Sequence, residues 1–180
     1  MSLVCSLFDP LGLVSLFILP AKRIMQELCR KKVNWDDELP EAELDSWKKW
    51  TKDLSRLSDV QVNRCTKPAH LSTIVNIQLH HFSDASQYGY GVATYLRLID
   101  VIGQKSCQLL FAKSRLAPLK AVTIPRLELT AATLSVKIYK YVQSQLEQPV
   151  NATFFWIVLQ YIRNDAKRFH TFVANRVALI

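Results

Sequence analysis

Apolar and polar positions along the chain follow two different rhythms. Up to about residue 70 the apolar residues recur at helical spacing. Pro20 separates an apolar entry, Leu3 to Leu19, from Ala21 to Lys32, where Ile24, Met25 and Leu28 make one stripe on an otherwise basic helix. The entry is broken by Asp9, Pro10 and Gly12, has no basic residue ahead of it, and falls short of the roughly 18 unbroken apolar residues a membrane span requires. It reads as buried helix and turn. Asn34 to Glu38 is a polar stop, and Pro40 opens a second helix with Glu41 and Glu43 near its positive end. Leu44, Trp47, Trp50 or Thr51, Leu54 and Leu57 keep the helical period there, with Lys48, Lys49 and Lys52 on the other side. Tryptophans on the apolar stripe of a helix belong in a core, not on a base-stacking surface.

Ser58 to Ser72, with Asn63 and Pro68 and little periodicity, reads as a linker. Beyond it the period shortens to two. Ile74 to Phe82 alternates, Tyr88 to Leu98 is rich in β-branched and aromatic residues, and Ser106 to Ala112 follows the turn at Gly103. Lys113 to Val122 reads as a loop. A long helix then enters through Thr123 and Pro125 with Leu127, Ala131, Leu134, Ile138 and Tyr141 on one stripe. Asn151 to Trp156 is a fourth strand, Ile157 to about Asp165 is helical, and Phe169, Val173 and Val177 align in a last amphipathic segment. The order β, β, β, α, β, α behind a helical lead predicts an α+β fold, with a helical segment over 1–70 and a sheet-containing domain over 71–180.

The charge sharpens this division. The net +8 is made of 12 basic against 11 acidic residues through Ile99, but 11 against 4 from Asp100 onward. A basic surface confined to one half suits a polyanion, because phosphate contacts carry the sequence-independent part of nucleic-acid affinity. Cys5, Cys29, Cys65 and Cys107 are too scattered for a zinc or redox pair. With no secretory signal, Asn151-Ala-Thr153 has no weight as a glycosylation site, and an intracellular protein, cytoplasmic or nuclear, is expected.

Two carboxylates stand where chemistry can be built. Asp84 closes the first strand in His81-Phe-Ser-Asp-Ala-Ser86, and Glu128 lies in the first turn of the long helix in Ile124-Pro-Arg-Leu-Glu-Leu129. A strand-end carboxylate and one on a helix packed over that strand can converge, and magnesium takes such oxygen ligands. Taken singly, Asp84 is equally a turn residue and Glu128 a helix-start acid. Lys113, Arg115, Lys120 and Arg126 surround the third strand and the Glu128 helix start as candidate phosphate contacts. Of His80 and His81, adjacent in a strand, one is expected to face solvent and the other the core.

Phe82-Ser-Asp-Ala-Ser86, Tyr88-Gly-Tyr-Gly-Val92, Ala112-Lys-Ser-Arg-Leu-Ala-Pro-Leu-Lys120 and Ile124-Pro-Arg-Leu-Glu-Leu129, taken in this order, resemble the ribonuclease H region of Bel/Pao retrotransposon polyproteins. Ser6-Leu-Phe-Asp-Pro-Leu-Gly12 and Phe172-Val-Ala-Asn-Arg-Val177 resemble the same family, so the likeness runs along nearly the whole chain. It implies a reverse transcriptase tail over 1–70 and a ribonuclease H-like mixed sheet flanked by helices over 71–180. It also implies magnesium-dependent cleavage of the RNA strand of an RNA:DNA hybrid, with Asp84 and Glu128 as first and second metal carboxylates and a pol polyprotein as the setting. The aspartic peptidase by which such polyproteins are often labelled has no counterpart, since neither Asp-Thr-Gly nor Asp-Ser-Gly occurs.

The chain departs from the family where a third carboxylate belongs. Members carry an Asp in a Trp-Thr-Asp-Ser stretch closing the fourth strand, whereas this chain reads Phe155-Trp-Ile-Val-Leu159; the fourth carboxylate would fall beyond Ile180. Asp165, nine residues past Trp156 and about 13 Å along a helix, is too far to substitute. An inactive enzyme is therefore expected, either a silent nucleic-acid-binding module or a remnant whose gene, or gene reading, has lost the Asp-containing turn.

Overall fold

The computed structural model describes residues 4, 6–63 and 65–157. Asp165 and the segment Phe169 to Val177 lie outside the described residues, as does the expected last helix except Ile157, which belongs to neither helix nor strand. The elements are α1 (Ser15–Arg30), α2 (Glu41–Leu54), a 3-10 turn (Ser55–Asp59), β1 (Ile74–Ala85), β2 (Gly89–Asp100), β3 (Lys105–Leu116), α3 (Ile124–Gln145) and β4 (Ala152–Trp156). The strands form one mixed sheet in the order β3-β2-β1-β4, antiparallel except for β4, which runs parallel to β1. A parallel neighbour needs a long crossover, and α3 supplies it. No helix among the described residues is long and apolar enough to cross a membrane.

Strand alternation decides what each sheet face carries. In β1, buried Ile77, Leu79 and His81 alternate with half-buried Gln78 and His80 and exposed Phe82. Their partners Leu98, Leu96 and Thr94 in β2 point to the same side. Ile138 and Val142 of α3 close over that side and, with Leu71 and Val92, complete the main core. Burying each such aliphatic side chain contributes about 1.5–3 kcal/mol, so a one-residue register slip, which would turn Leu79 and His81 outward, is strongly disfavoured. Thr123 precedes α3 as expected, but it is the Thr123 carbonyl that receives the amides of Arg126 and Leu127; its side chain makes no capping bond.

Three expectations need correction. Helix α1 starts at Ser15 and runs through Pro20, where a break was expected. The proline forgoes one bond to the turn before it, and burial of Ile18 and Ala21 on either side of it outweighs that loss. β1 continues three residues past Phe82, so Asp84 lies within the strand. β3 continues to Leu116, which puts Lys113 and Arg115 on a strand instead of in a loop. The polar run there marks an edge strand, where outward charges blunt pairing with other chains.

The N-terminal helices are fastened to the sheet. Trp50 is buried against Ile18 and Ala21, and its Nε1 donates to the Phe17 carbonyl at 2.9 Å, which confirms a core role for the tryptophans. Ala112 N donates to the Leu11 carbonyl at 2.8 Å, Ser114 Oγ to the Ser15 carbonyl at 2.9 Å, and Gln26 Nε2 to the Ala117 carbonyl at 2.8 Å. The Arg23 guanidinium sits 3.7 Å from the centre of the Tyr88 ring. The turn leaving β2 is held by Asp100, a buried acid with no place in the sequence reading. Its carboxylate accepts the amides of Ser72, Ile102 and Gln104 and the Ser72 hydroxyl. Burial alone would raise its pKa, but these bonds outweigh it and hold the pKa below the usual carboxylate value.

Gly12 is the tightest point of this docking. Its φ is +73°, and a Cβ there would fall 1.6 Å from the Ala112 carbonyl oxygen. Gly12→Ala is therefore expected to free the 9–12 loop from β3 and cost more than about 1–2 kcal/mol by chemical denaturation, whereas a loss under about 0.5 kcal/mol would mean the loop is not held there.

Candidate functional site

Asp84 pairs with Gly91, which in turn pairs with Ser114, so these residues share a sheet face. The hydroxyl of Ser114 bonds to the first residue of α1, which identifies this as the α1 side of the sheet. Asp84 is exposed, and its Oδ1 accepts the amide of the next residue, Ala85, at 2.8 Å. With Phe82, Tyr95 and Trp156 from the sheet and Leu16 and Leu19 from α1, it lines a groove of about 490 Å³.

Glu128 approaches from the other side. Ile138 and Val142 of α3 pack near Ile77 and Leu79, while Tyr139 meets the His81 ring edge-on at 5.6 Å. From there the first turn of α3 lies about 16 Å up the helix, and Asp84 about 10 Å along β1. Both carboxylates thus reach the same end of the sheet. By strand phase, however, Asp84 faces α1 and Glu128 rides on the helix over the opposite face, and Glu128 does not line the groove that holds Asp84.

The donor set falls short of a two-cation centre. Among the described residues no three His, Cys, Asp or Glu side chains gather where an ion could be held. Half-buried Glu128 has no hydrogen-bond or ion-pair partner among them, and Ser83, which precedes Asp84 in β1, has a buried hydroxyl without one. The four basic candidates are all exposed: Lys113 and Arg115 on β3, Lys120 in the following loop, and Arg126 in the first turn of α3. Lys113 pairs with Val92 and Arg115 with Tyr90, so both point to the α3 side, the side of Glu128.

The two histidines divide as expected. His81 is fully buried, and its Nδ1 shares a 2.8 Å hydrogen bond with Thr94 Oγ1; His80 lies half-buried on the other face. Two further features carried no signal in the sequence. Arg23 reaches the turn after Asp84 from 65 residues upstream, a contact no local pattern encodes. Trp156 stacks on Phe82 with planes 6° apart, two residues before Asp84, and it was legible only as a strand residue.

A family model, described as the Pao retrotransposon-like RNaseH-like domain, matches residues 1–157. No curated protein and no solved structure matches the chain.

Among the described residues neither carboxylate holds the fold together, since Glu128 has no partner there and Asp84 bonds only to its neighbour. Asp84→Asn and Glu128→Gln are each expected to shift stability by no more than about 0.5 kcal/mol in thermal or urea unfolding. A loss above about 1 kcal/mol in either would reveal a structural role instead.

Proposed function

Since the chain belongs to the Pao retrotransposon-like RNaseH-like domain family, we propose that it is a nucleic-acid-binding module of a retroelement polyprotein that no longer hydrolyses RNA:DNA hybrids. The observation that carries this reading is the register of β4. Phe82 pairs with Trp156 in a parallel ladder, two residues short of Asp84 in β1, and the sequence that follows Trp156 brings no carboxylate before Asp165. Magnesium in such domains supplies a Lewis acid and an activated water, and it needs several carboxylates to hold the pair of ions. Asp84 and Glu128 alone supply two negative charges. We assign no hydrolytic step to them.

Affinity for nucleic acid does not depend on the missing acid. Lys113 and Arg115 project from one side of the edge strand, with Lys120 and Arg126 following in the chain, and each acts on phosphate as a point charge or fork. The turn after Asp84 is braced from α1 by Arg23 on Tyr88. In this reading the segment over 1–70, expected as a reverse transcriptase tail, also serves as a wall of the site.

A short fluorescent RNA:DNA hybrid tests the proposal. Binding is expected to fall steeply with salt, and Lys113→Ala with Arg115→Ala should reduce the slope of log K against log[salt] by roughly 2, one per lost phosphate contact. The hybrid should stay uncut in magnesium. Salt-insensitive binding, or magnesium-dependent cleavage abolished by Asp84→Asn, would contradict the proposal.

A further inference from the structure

β4 is the weakest-held strand of the described sheet: five residues long, paired among the described residues with β1 alone, against twelve residues in each other strand. What supplements its ladder is a double row of rings. On the α1 side of the sheet, His80 stacks on Phe154 at 4.8 Å and near Trp156 at 6.4 Å, and Trp156 Nε1 donates to His80 Nδ1 at 3.4 Å. On the α3 side, His81 stacks on Phe155 at 4.9 Å, and Tyr139 meets both rings edge-on at 5.6 Å. Adjacent histidines of β1 thus clamp β4 from both faces.

Both clamps require neutral imidazole. His80 Nδ1 accepts the indole N–H while its Nε2 lies 3.3 Å from Gln78 Oε1, an acceptor, so the ring carries its proton on Nε2; a second proton on Nδ1 would confront the indole donor. The Nε2 of His81 is buried with no partner, and a charged ring would need an acceptor there. Among the described residues, the groups around them offer no compensating negative charge. His81 faces Thr94 of β2, Tyr139 of α3, Phe155 of β4 and neighbouring His80; His80 faces Tyr95 and cationic Arg97 of β2, Gln78 of its own strand, and Phe154 and Trp156 of β4. Asp84 shares the His80 face but lies beyond Phe82. Desolvation, with a smaller repulsion from His80, lowers the His81 pKa to about 4, and desolvation with Arg97 lowers that of His80.

To take a proton, His81 must be uncovered, and its covers differ in cost. Thr94 belongs to the central antiparallel ladder and Tyr139 to a 22-residue helix with nine buried positions. Phe155 belongs to the short edge strand and is itself 37% exposed. We propose that β4 is an acid-released strand: protonation of the His80–His81 pair frees β4 from β1 while β1 to β3 and α3 stay folded. The strand that leads the chain toward Asp84 is thereby coupled to pH.

The sign follows from linkage. A histidine whose folded pKa is depressed contributes stability that is full above its unfolded value of 6.5 and is lost as pH falls toward 4. The opening equilibrium of β4 should therefore rise, for each histidine, by up to about tenfold per pH unit below 6.5. Asp100, whose pKa is lowered as a carboxylate, loses its contribution only in more acid solution, so the window between pH 6.5 and 5 isolates the histidines.

Amide hydrogen exchange by NMR on the full chain between pH 7.5 and 5, corrected for intrinsic rates, tests this. Protection at Thr153 to Trp156 is expected to fall by about tenfold or more while β2, β3 and α3 hold theirs, and His81→Gln should reduce the pH dependence to the part that His80 contributes. Equal loss in all strands, or unchanged protection of β4, would overturn the proposal. Should His81→Gln fail to fold, the imidazole titration of His81 in the unaltered chain decides: a pKa near 6.5 contradicts it, and one near 4 supports it.

Discussion

The two-residue alternation of β1 is the constraint on which the rest of the structure depends. Placed between β2 and β4, with its odd positions from Ile77 to His81 committed to the core under α3, the strand has no freedom left in its even positions. That phase sends His80, Phe82 and Asp84 together to the α1 face. Burial of Leu79 and Ile77 therefore fixes, several residues away, the side from which a carboxylate can be offered. Loss of this phase would cost several aliphatic burials at once, about 1.5–3 kcal/mol each.

Much of this architecture was legible because it is written locally. Thr123 and Pro125 announced α3, the stripe Leu44-Trp47-Trp50 announced α2 and its burial, and alternation announced β1 and β2. The phase of Asp84 was not readable, since the alternation read from the sequence stops at Phe82 and β1 runs three residues further. What stayed hidden depends on partners distant in sequence. Pro20 looks like a break until Ile18 and Ala21 find Trp50, and Lys113 and Arg115 look like loop residues until β2 pairs with them. Gly12 reads as a turn residue, whereas its lack of a Cβ is what lets the N-terminal loop lie against the backbone of Ala112.

The candidate site was legible in its parts and not in its geometry. Sequence order picked out Asp84 and Glu128 as a strand-end and a helix-start carboxylate, and the fold brings both to one end of the sheet. It could not say that they arrive on opposite sides of it, because that depends on which face α3 covers. The segment after Trp156 was already marked in the sequence as lacking the family's third carboxylate, and the parallel register adds that Trp156 lies beside Phe82, two residues from Asp84. The family supplies the fold and the direction of the chemistry. This chain's own residues supply a basic edge, two carboxylates without cationic partners among the described residues, and an aromatic clamp on β4.

Divalent-cation binding, followed by manganese titration with calorimetry or paramagnetic resonance, tests the proposed loss of the two-cation centre most directly. The chain as it stands is expected to bind no pair of cations at millimolar or lower concentration, and a variant carrying Ile157→Thr, Val158→Asp and Leu159→Ser to gain binding that depends on Asp84. Tight binding of two ions by the unaltered chain, lost on Asp84→Asn, would contradict the account.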